Sequence, residues 1–217
     1  MAGHVSEAVI RRLPAYYRHL KELEKEGVTQ ISSQALGKRM HSTASQIRQD
    51  INCFGGFGRQ GFGYAVADLR ENIGRILGLD HPRRMVIIGA GNIGRAVSSY
   101  NFFEESGFQI TAIFDSDPQK IGMSIGEIEV QDILNIERYI LRNEVDICAL
   151  AIPAEAAQAM ADRLAFLGVN AFWNFAPVDL KLPKRVALVN VHLEDGLQIL
   201  SFRMLNQKRE EENAKQP

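Results

Sequence analysis

Met85-Val86-Ile87-Ile88-Gly89-Ala90-Gly91-Asn92-Ile93-Gly94 is the stretch whose reading decides the fold. The apolar run Met85–Ile88 suits a strand buried on both faces, and it leads straight into a Gly-x-Gly-x-x-Gly turn. Each glycine then has its own task. Gly89 permits a tight turn, Gly91 lets backbone approach a pyrophosphate, and Gly94 lets the following helix pack closely on the strand. Free N–H groups and the dipole of that helix attract phosphate. About twenty residues on, a second strand is expected to end at Asp115, placed to accept hydrogen bonds from an adenosine ribose. The same charge repels a 2′-phosphate, which favours NAD over NADP.

Downstream, apolar and amphipathic segments alternate. The pattern predicts a helix over 92–106, a strand over 109–114 and a helix over 131–142. It continues with a strand over 145–152, a helix over 155–167, and strands over 171–175 and 186–191. Such alternation demands a parallel sheet with right-handed crossovers, so residues 81–191 read as a Rossmann dinucleotide-binding domain. Residues 192–217 read as a C-terminal dimerisation helix and tail, frayed from 207 onward. Leu193, Leu197, Leu200 and Met204 form one apolar stripe there, and Ile199 and Phe202 a second. A helix apolar on two sides needs cover beyond its own domain, which points to a partner subunit.

Upstream the rhythm differs. Ile10, Leu13, Tyr17 and Leu20 fall at helical spacing, with Pro14 near a first turn and Gly27 as a stop. A shorter helix over about 33–40 is capped by Ser32 or Ser33, and a third over 43–53 opens on Thr43-Ala-Ser-Gln46, a capping-box pattern. Two short helices joined by a tight turn and preceded by a longer one are the helix-turn-helix arrangement. Gly55-Gly-Phe-Gly-Arg-Gln-Gly-Phe-Gly-Tyr64 cannot hold a helix and suits a β-hairpin with an exposed tip. A fourth helix over 67–77 closes the unit, and 81–84 reads as the linker. Residues 1–80 are therefore expected to be a winged-helix DNA-binding domain. Its recognition helix would present Ser45, Gln46, Arg48 and Gln49 to base edges, where Gln suits adenine and Arg suits guanine. Arg59 at the hairpin tip would enter a minor groove. Arg11, Arg12, Lys38 and Arg39 would contact phosphates.

The chain of 217 residues is 46% hydrophobic and 24% charged, which are globular values. No apolar run approaches the ~18 residues of a membrane span, and the N-terminus has no apolar signal core. Two cysteines, Cys53 and Cys148, build no disulfide framework and point to a reducing, cytoplasmic setting. The net charge of −1 hides an asymmetry. Residues 1–84 carry 13 Lys+Arg against 8 Asp+Glu, and the remainder 12 against 18. A basic first third points to a polyanion partner for that end.

Nothing in the pattern assembles a reaction, so no catalytic residue and no metal ligand is assigned. About forty residues follow Phe175, too few for the substrate domain a dehydrogenase needs. No Tyr-x-x-x-Lys pair follows the glycine turn. Of the five histidines, only His192 lies after the glycine turn. It is a candidate base, although a strand-end histidine with a structural partner is the plainer reading. Cys148, within Asp-Ile-Cys-Ala-Leu, reads as core. Two rival classes remain: an NAD-dependent dehydrogenase, and a coenzyme-A-binding Rossmann protein, which would need neither Asp115 nor a wing.

Several stretches taken together carry a resemblance. They are Ser-Ser-Gln-Ala-Leu-Gly (32–37), Gln-Ile-Arg-Gln-Asp-Ile (46–51), Phe-Gly-Gly-Phe-Gly-Arg-Gln-Gly-Phe-Gly-Tyr (54–64), Gly-Ala-Gly-Asn-Ile-Gly-Arg-Ala (89–96), Phe-Asp-Ser-Asp-Pro (114–118) and Asn-Phe-Ala-Pro (174–177). From about Arg11 to Asn206 the chain resembles the Rex family of redox-sensing transcriptional repressors. The resemblance implies a homodimer of winged-helix and Rossmann domains that swap C-terminal helices. It also implies that inverted-repeat operator DNA is bound when NADH is scarce and released when NADH binds, with NADH and NAD+ as cofactors. The match puts Arg48 on the recognition helix and Arg59 in the wing. The cofactor set becomes Gly89, Ala90, Gly91, Asn92, Ile93, Gly94 and Asp115, with Tyr100 and Pro153. Arg18 and Tyr100 match positions of the family's switch. Its switch aspartate is matched by His192, with Asp195 close by. Gln49 and Gln60 stand where the family usually carries further basic residues.

Overall fold

The structure, a computed structural model, describes residues 5–55, 63–100, 103 and 106–214. Two units divide between His81 and Pro82. In the first, α1 (Glu7–Lys25), α2 (Ser33–Arg39), α3 (Ala44–Asn52) and α4 (Val66–Ile76) surround one apolar core, with Leu20, Leu36, Ile47 and Leu69 at its centre. α1 buries Val9, Leu13, Tyr16, Leu20 and Leu23, a stripe that differs from the expected one by using Val9 and Tyr16 in place of Ile10 and Tyr17. Pro14 lies inside the helix rather than at its first turn. Helix starts follow local chemistry. The Ser32 hydroxyl accepts from the Ala35 N–H at 3.0 Å, and the Thr43 hydroxyl accepts from the Gln46 N–H at 3.1 Å.

Tyr16 turns inward because its hydroxyl has a buried partner. Asp50 on α3 is 0% exposed. Its carboxylate accepts two bonds from the Arg12 guanidinium, at 2.6 and 2.8 Å, one from the Tyr16 hydroxyl at 2.7 Å and one from the Gln46 amide at 2.7 Å. Burial by itself would raise the Asp50 carboxyl. The donors from Arg12, Tyr16 and Gln46 outweigh it and hold the group below the usual carboxylate range. Only half of the expected capping box therefore forms, since the Gln46 side chain turns to Asp50.

β1 (Gln30–Ile31) pairs antiparallel with β2 (Tyr64–Ala65), Gln30 opposite Ala65 and Ile31 opposite Tyr64. The hairpin expected over 55–64 falls largely at positions 56–62, outside the described residues, and so do Arg59 and Gln60. Its downstream end pairs with a strand 34 residues upstream that is too short to show a period of its own.

The second unit is a seven-stranded sheet in the order β5-β6-β4-β3-β7-β8-β9. Its strands are β3 (Arg83–Ile88), β4 (Phe108–Asp115), β5 (Ser124–Ile125), β6 (Ile128–Asp132), β7 (Ile147–Leu150), β8 (Ala171–Asn174) and β9 (Ala187–Asn190). All neighbours run parallel except the β5–β6 pair. α5 (Asn92–Ser98), α6 (Ile136–Arg142) and α7 (Ala154–Phe166) are the helices joining its strands among the described residues. β3 alternates between two cores: Val86 and Ile88 pack with Phe114 and Leu164 on one face, Met85 and Ile87 with Ile113 and Val130 on the other. Burial of both faces is why the strand reads as a continuous apolar run.

Two expected elements change. The helix opened by the glycine turn ends at Ser98 rather than near Ser106. The segment from Gln131 begins as strand β6, passes through a 3-10 turn at Ile133–Asn135 and only then becomes α6. The Asp132 carboxylate accepts from the Leu134 N–H at 2.9 Å and starts that turn. A last helix, α8 (Leu193–Ala214), leaves its apolar residues in solvent, with Leu193, Leu197, Leu200 and Met204 being 65%, 69%, 52% and 53% exposed.

Removing Arg12 leaves the Asp50 charge buried with neutral donors only. Arg12→Ala is expected to destabilise the first unit by about 2–3 kcal/mol, below the full penalty for a broken buried pair because Arg12 keeps part of its surface in water. Because folding lowers the Asp50 pKa, the network's contribution is complete at neutral pH and is lost as pH falls below about 4. Urea unfolding at pH 7 and at pH 3 checks both statements: the gap between parent and variant should shrink at the lower pH.

Candidate dinucleotide cleft and recognition helix

β3 has β4 on one side and β7 on the other, so the direction of chain progression reverses at its carboxyl end and a crevice opens there. That crevice is a cleft of 780 Å³. The Gly89–Gly94 turn forms its floor under tight constraint. Gly89 has φ +102°, and a Cβ on Gly94 would stand 1.8 Å from the Gly89 carbonyl oxygen. Gly91 differs, because a Cβ there meets nothing within 4 Å. It faces the open space that a pyrophosphate would need.

Asp115 ends β4 at the cleft wall, 8% exposed. Its carboxylate accepts from the Ala90 N–H at 2.7 Å, from the Asp117 N–H at 2.8 Å and from the Lys120 ammonium at 3.3 Å. Burial pushes the Asp115 carboxyl up, but these donors prevail and keep it ionised below its ordinary range. The carboxylate thus pins the glycine turn to the end of β4 while lining the cleft.

The cleft has two chemical ends. Asp115, Ser116, Asp117 and Lys120 give the β4 side polar and charged walls, whereas Ile152, Pro153, Phe175 and Pro177 make the β7–β8 side apolar. Of the expected cofactor residues, Gly89, Gly91, Asn92, Ile93, Asp115 and Pro153 line it. Ala90 and Gly94 are buried within the turn. Tyr100 lies outside the lining, with its ring 5.0 Å from that of Phe103. From Phe103 the aromatic contacts continue through Trp173, at 5.8 Å, to Phe175 on the wall, at 4.4 Å. Lys120 escaped the sequence reading, although it sits five residues beyond Asp115, where a turn returns to the strand end.

His192 is held by Asp179 at 3.0 Å, and this contact raises the imidazole above the usual histidine range. Asp195 is exposed one turn along and contacts His192 through its backbone N–H, 3.3 Å from the His192 carbonyl. Arg18 is exposed on α1. Among the described residues, no cluster of three or more His, Cys, Asp or Glu could hold a metal ion. No described helix is long and apolar enough to cross a membrane.

On α3, Ser45, Arg48, Gln49 and Asn52 are exposed at helical spacing and form one face, opposite the buried Ile47, Asp50 and Ile51. The Arg48 guanidinium donates to the Ser33 hydroxyl on α2 at 3.0 Å. Lys38 is exposed at the end of α2. Besides Arg48, four expected DNA contacts are already engaged within the unit, Arg11 through an ion pair with Glu7 at 3.5 Å. Arg12 and Gln46 hold Asp50, and Arg39 donates to Glu26 at 2.6 and 3.0 Å and to Glu22 at 3.3 Å.

A helix-turn-helix unit joined to a Rossmann unit with a dinucleotide-type cleft defines a class of ligand-responsive DNA-binding regulators. Residues 4–52 match a family described as "Putative DNA-binding protein N-terminus", and residues 80–178 match the CoA binding domain family. The redox-sensing transcriptional repressor Rex of Thermoanaerobacter sp. (strain X514) is 53% identical over 200 residues, 92% of this chain and 89% of the relative. That of Clostridium beijerinckii is 50% identical over 204 residues, 94% and 96% of the two chains. The crystal structure of RSP, a Rex-family repressor, superposes with a TM-score of 0.89 at 48% identity, covering 98% of this chain and 99% of RSP. RSP has also been solved with NADH, and with NAD+ and operator DNA. The chain belongs to the Rex family of redox-sensing transcriptional repressors. Membership also decides between the rival readings, because these relatives are repressors over nearly their whole length rather than dehydrogenases or coenzyme-A carriers.

Two glycines in one turn should respond oppositely to alanine. Gly94→Ala drives a Cβ into backbone and is expected to cost about 3 kcal/mol or more in thermal unfolding. Gly91→Ala is expected to fold like the parent while filling the space over the turn, so that dinucleotide binding weakens in calorimetry. At the other end of the unit, Asp179→Asn is expected to bring the His192 pKa down towards about 6.5, read by NMR titration of the ring protons.

Proposed function

We propose that this protein occupies operator DNA through α3 when NADH is scarce and leaves it when NADH fills the cleft of the second unit. The observation that carries the reading is the two-ended cleft. A carboxylate at the polar end suits an adenosine ribose, and an apolar wall at the other end suits a neutral dihydronicotinamide ring. NAD+ carries a positive ring, which loses hydration in such a wall without gaining a counter-charge, so NADH binds more tightly. A ligand shifts a conformational equilibrium only through such a difference in affinity. RSP, which is similar over its whole length, is known with both nucleotides and with operator DNA.

The DNA-contacting residues we propose are Ser45, Arg48 and Gln49 on α3 for base edges, Lys38 for phosphate and Arg59 for the wing. The cofactor set is Gly89–Gly94, Asp115 and Pro153, with Tyr100 reached through the ring contacts. We assign Arg18, Tyr100, His192 and Asp195 to the switch. His192 takes part as the partner of Asp179, and Asp195 supplies a second carboxylate close by at the start of α8. The exposed apolar residues of α8 are covered by a second copy of the chain, giving a homodimer suited to an inverted repeat.

Arg48→Ala is expected to weaken operator binding by about 1–3 kcal/mol and to relax sequence preference, as measured by fluorescence anisotropy on matched and mismatched duplexes. Parent-like affinity and preference would refute the recognition-helix assignment. Asp115→Ala is expected to weaken NADH binding and to narrow the gap between NADH and NADPH. Trp173 is the only tryptophan in the chain and lies 4.4 Å from Phe175 on the cleft wall, so its fluorescence reports the titration. Truncation after Asn190 is expected to yield monomers that bind operator weakly and ignore NADH.

A further inference from the structure

Beside the dinucleotide cleft lies a second cavity of 270 Å³, between α5 and the β5–β6 hairpin. Its wall carries two cationic side chains, Arg95 and Lys120, and two hydroxyls, Ser99 and Ser124, but no carboxylate. Met123, Ile125 and Val130 supply an apolar side. Arg95 is anchored through its Nε, which donates to the Ala90 carbonyl oxygen at 3.2 Å. Its two terminal nitrogens have no bond among the described residues. Lys120 lines both cavities. It stands 3.3 Å from Asp115 and 3.5 Å from Asp117, and both of those carboxylates face the dinucleotide cleft instead.

We propose that this cavity binds a small phosphate-bearing anion, and that Lys120 couples its occupancy to the dinucleotide cleft. A guanidinium with both terminal nitrogens available matches phosphate oxygens in a two-pronged contact, and an ammonium and two hydroxyls can donate to the remaining oxygens. The volume holds a phosphate with a few carbon atoms set against Met123, Ile125 and Val130. A 2′-phosphate on the cofactor itself is a poor occupant. It would hang from a ribose beside Asp115 and Asp117, whose charges repel it, so the anion is a separate small molecule. An anion that draws the Lys120 ammonium towards Arg95 removes one of the donors to Asp115. The freed lone pairs then accept ribose hydroxyls, so the anion and NADH strengthen one another's binding by the same factor. This coupling rests on the dinucleotide reading above; the anion site does not.

Calorimetry and 31P NMR on the full chain, in phosphate-free buffer of fixed ionic strength, test the site with inorganic phosphate as the probe. Saturable binding is expected, with acetate failing to compete. Arg95→Gln and Ser124→Glu, on opposite walls, should each weaken phosphate about tenfold or more while melting like the parent. Absence of saturation, equal competition by acetate, or parent-like phosphate binding in both variants overturns the site. Adenosine 2′,5′-bisphosphate is the arm for a nucleotide-borne phosphate; if it displaces phosphate while glycerol 3-phosphate does not, the separate-ligand assignment is wrong. Saturating phosphate should tighten NADH about threefold, and Lys120→Met should abolish that gain. Unchanged NADH affinity in the parent overturns the coupling alone. A protein that binds phosphate but no NADH sinks the dinucleotide reading and the coupling together, and leaves the anion site standing.

Discussion

A buried carboxylate sits between the first and third helices of the first unit, and the pose of α3 depends on how its charge is satisfied. Asp50 receives two bonds from Arg12 and one each from Tyr16 and Gln46. An ionised group buried without partners is so costly that the helices must meet in the one arrangement that supplies these donors. Apolar contacts between Leu20, Leu36 and Ile47 would tolerate small slips of α3, whereas four directed bonds do not. The exposed face of Ser45, Arg48, Gln49 and Asn52 is fixed by the same constraint, because it lies opposite Asp50 on a single helix.

The second unit repeats the device with a different partner set. Asp115 takes two backbone N–H groups and one ammonium, and one of those N–H groups belongs to the glycine turn. In the first unit a buried carboxylate holds α3 and in the second one holds the glycine turn, and in both its hydrogen bonds keep it ionised despite burial. Asp50 is enclosed and serves position alone. Asp115 remains at a cleft wall, where each carboxylate oxygen has lone pairs to share with a ligand. A positioning contact and a cleft-facing surface are thus joined in one side chain, and Lys120 shares that carboxylate at 3.3 Å.

Much of this was legible along the chain. The apolar run at 85–88, the glycine turn and the strand ending at Asp115 are local patterns, and the structure has a parallel strand, a constrained turn and a cleft-lining carboxylate at those positions. The apolar residues of α8 find no cover among the described residues, and the two-sided pattern alone does not say what covers them. Ser32 and Thr43 cap their helices because a hydroxyl one turn ahead of free N–H groups needs no distant partner. Periodicity was less reliable where elements are short. β1, β2 and β5 span two residues each, below any repeat, and the apolar positions of Ile133, Leu134 and Ile136 read as one long helix until the Asp132 turn divides them.

By itself the sequence determined the fold class, the order of the elements and the site of the glycine turn, since these follow from residue types at fixed short spacings. Tertiary structure alone decided which charges are available. Arg12 and Arg39 look like phosphate-contacting residues in a basic segment, but Arg12 meets Asp50 across 38 positions and Arg39 meets Glu26 across 13. Tyr16 and Tyr17 are adjacent and similar, yet only Tyr16 faces the buried carboxylate. Charge pairing in a folded chain is set by which groups lose water together, and that depends on how helices pack rather than on how residues are spaced along one of them.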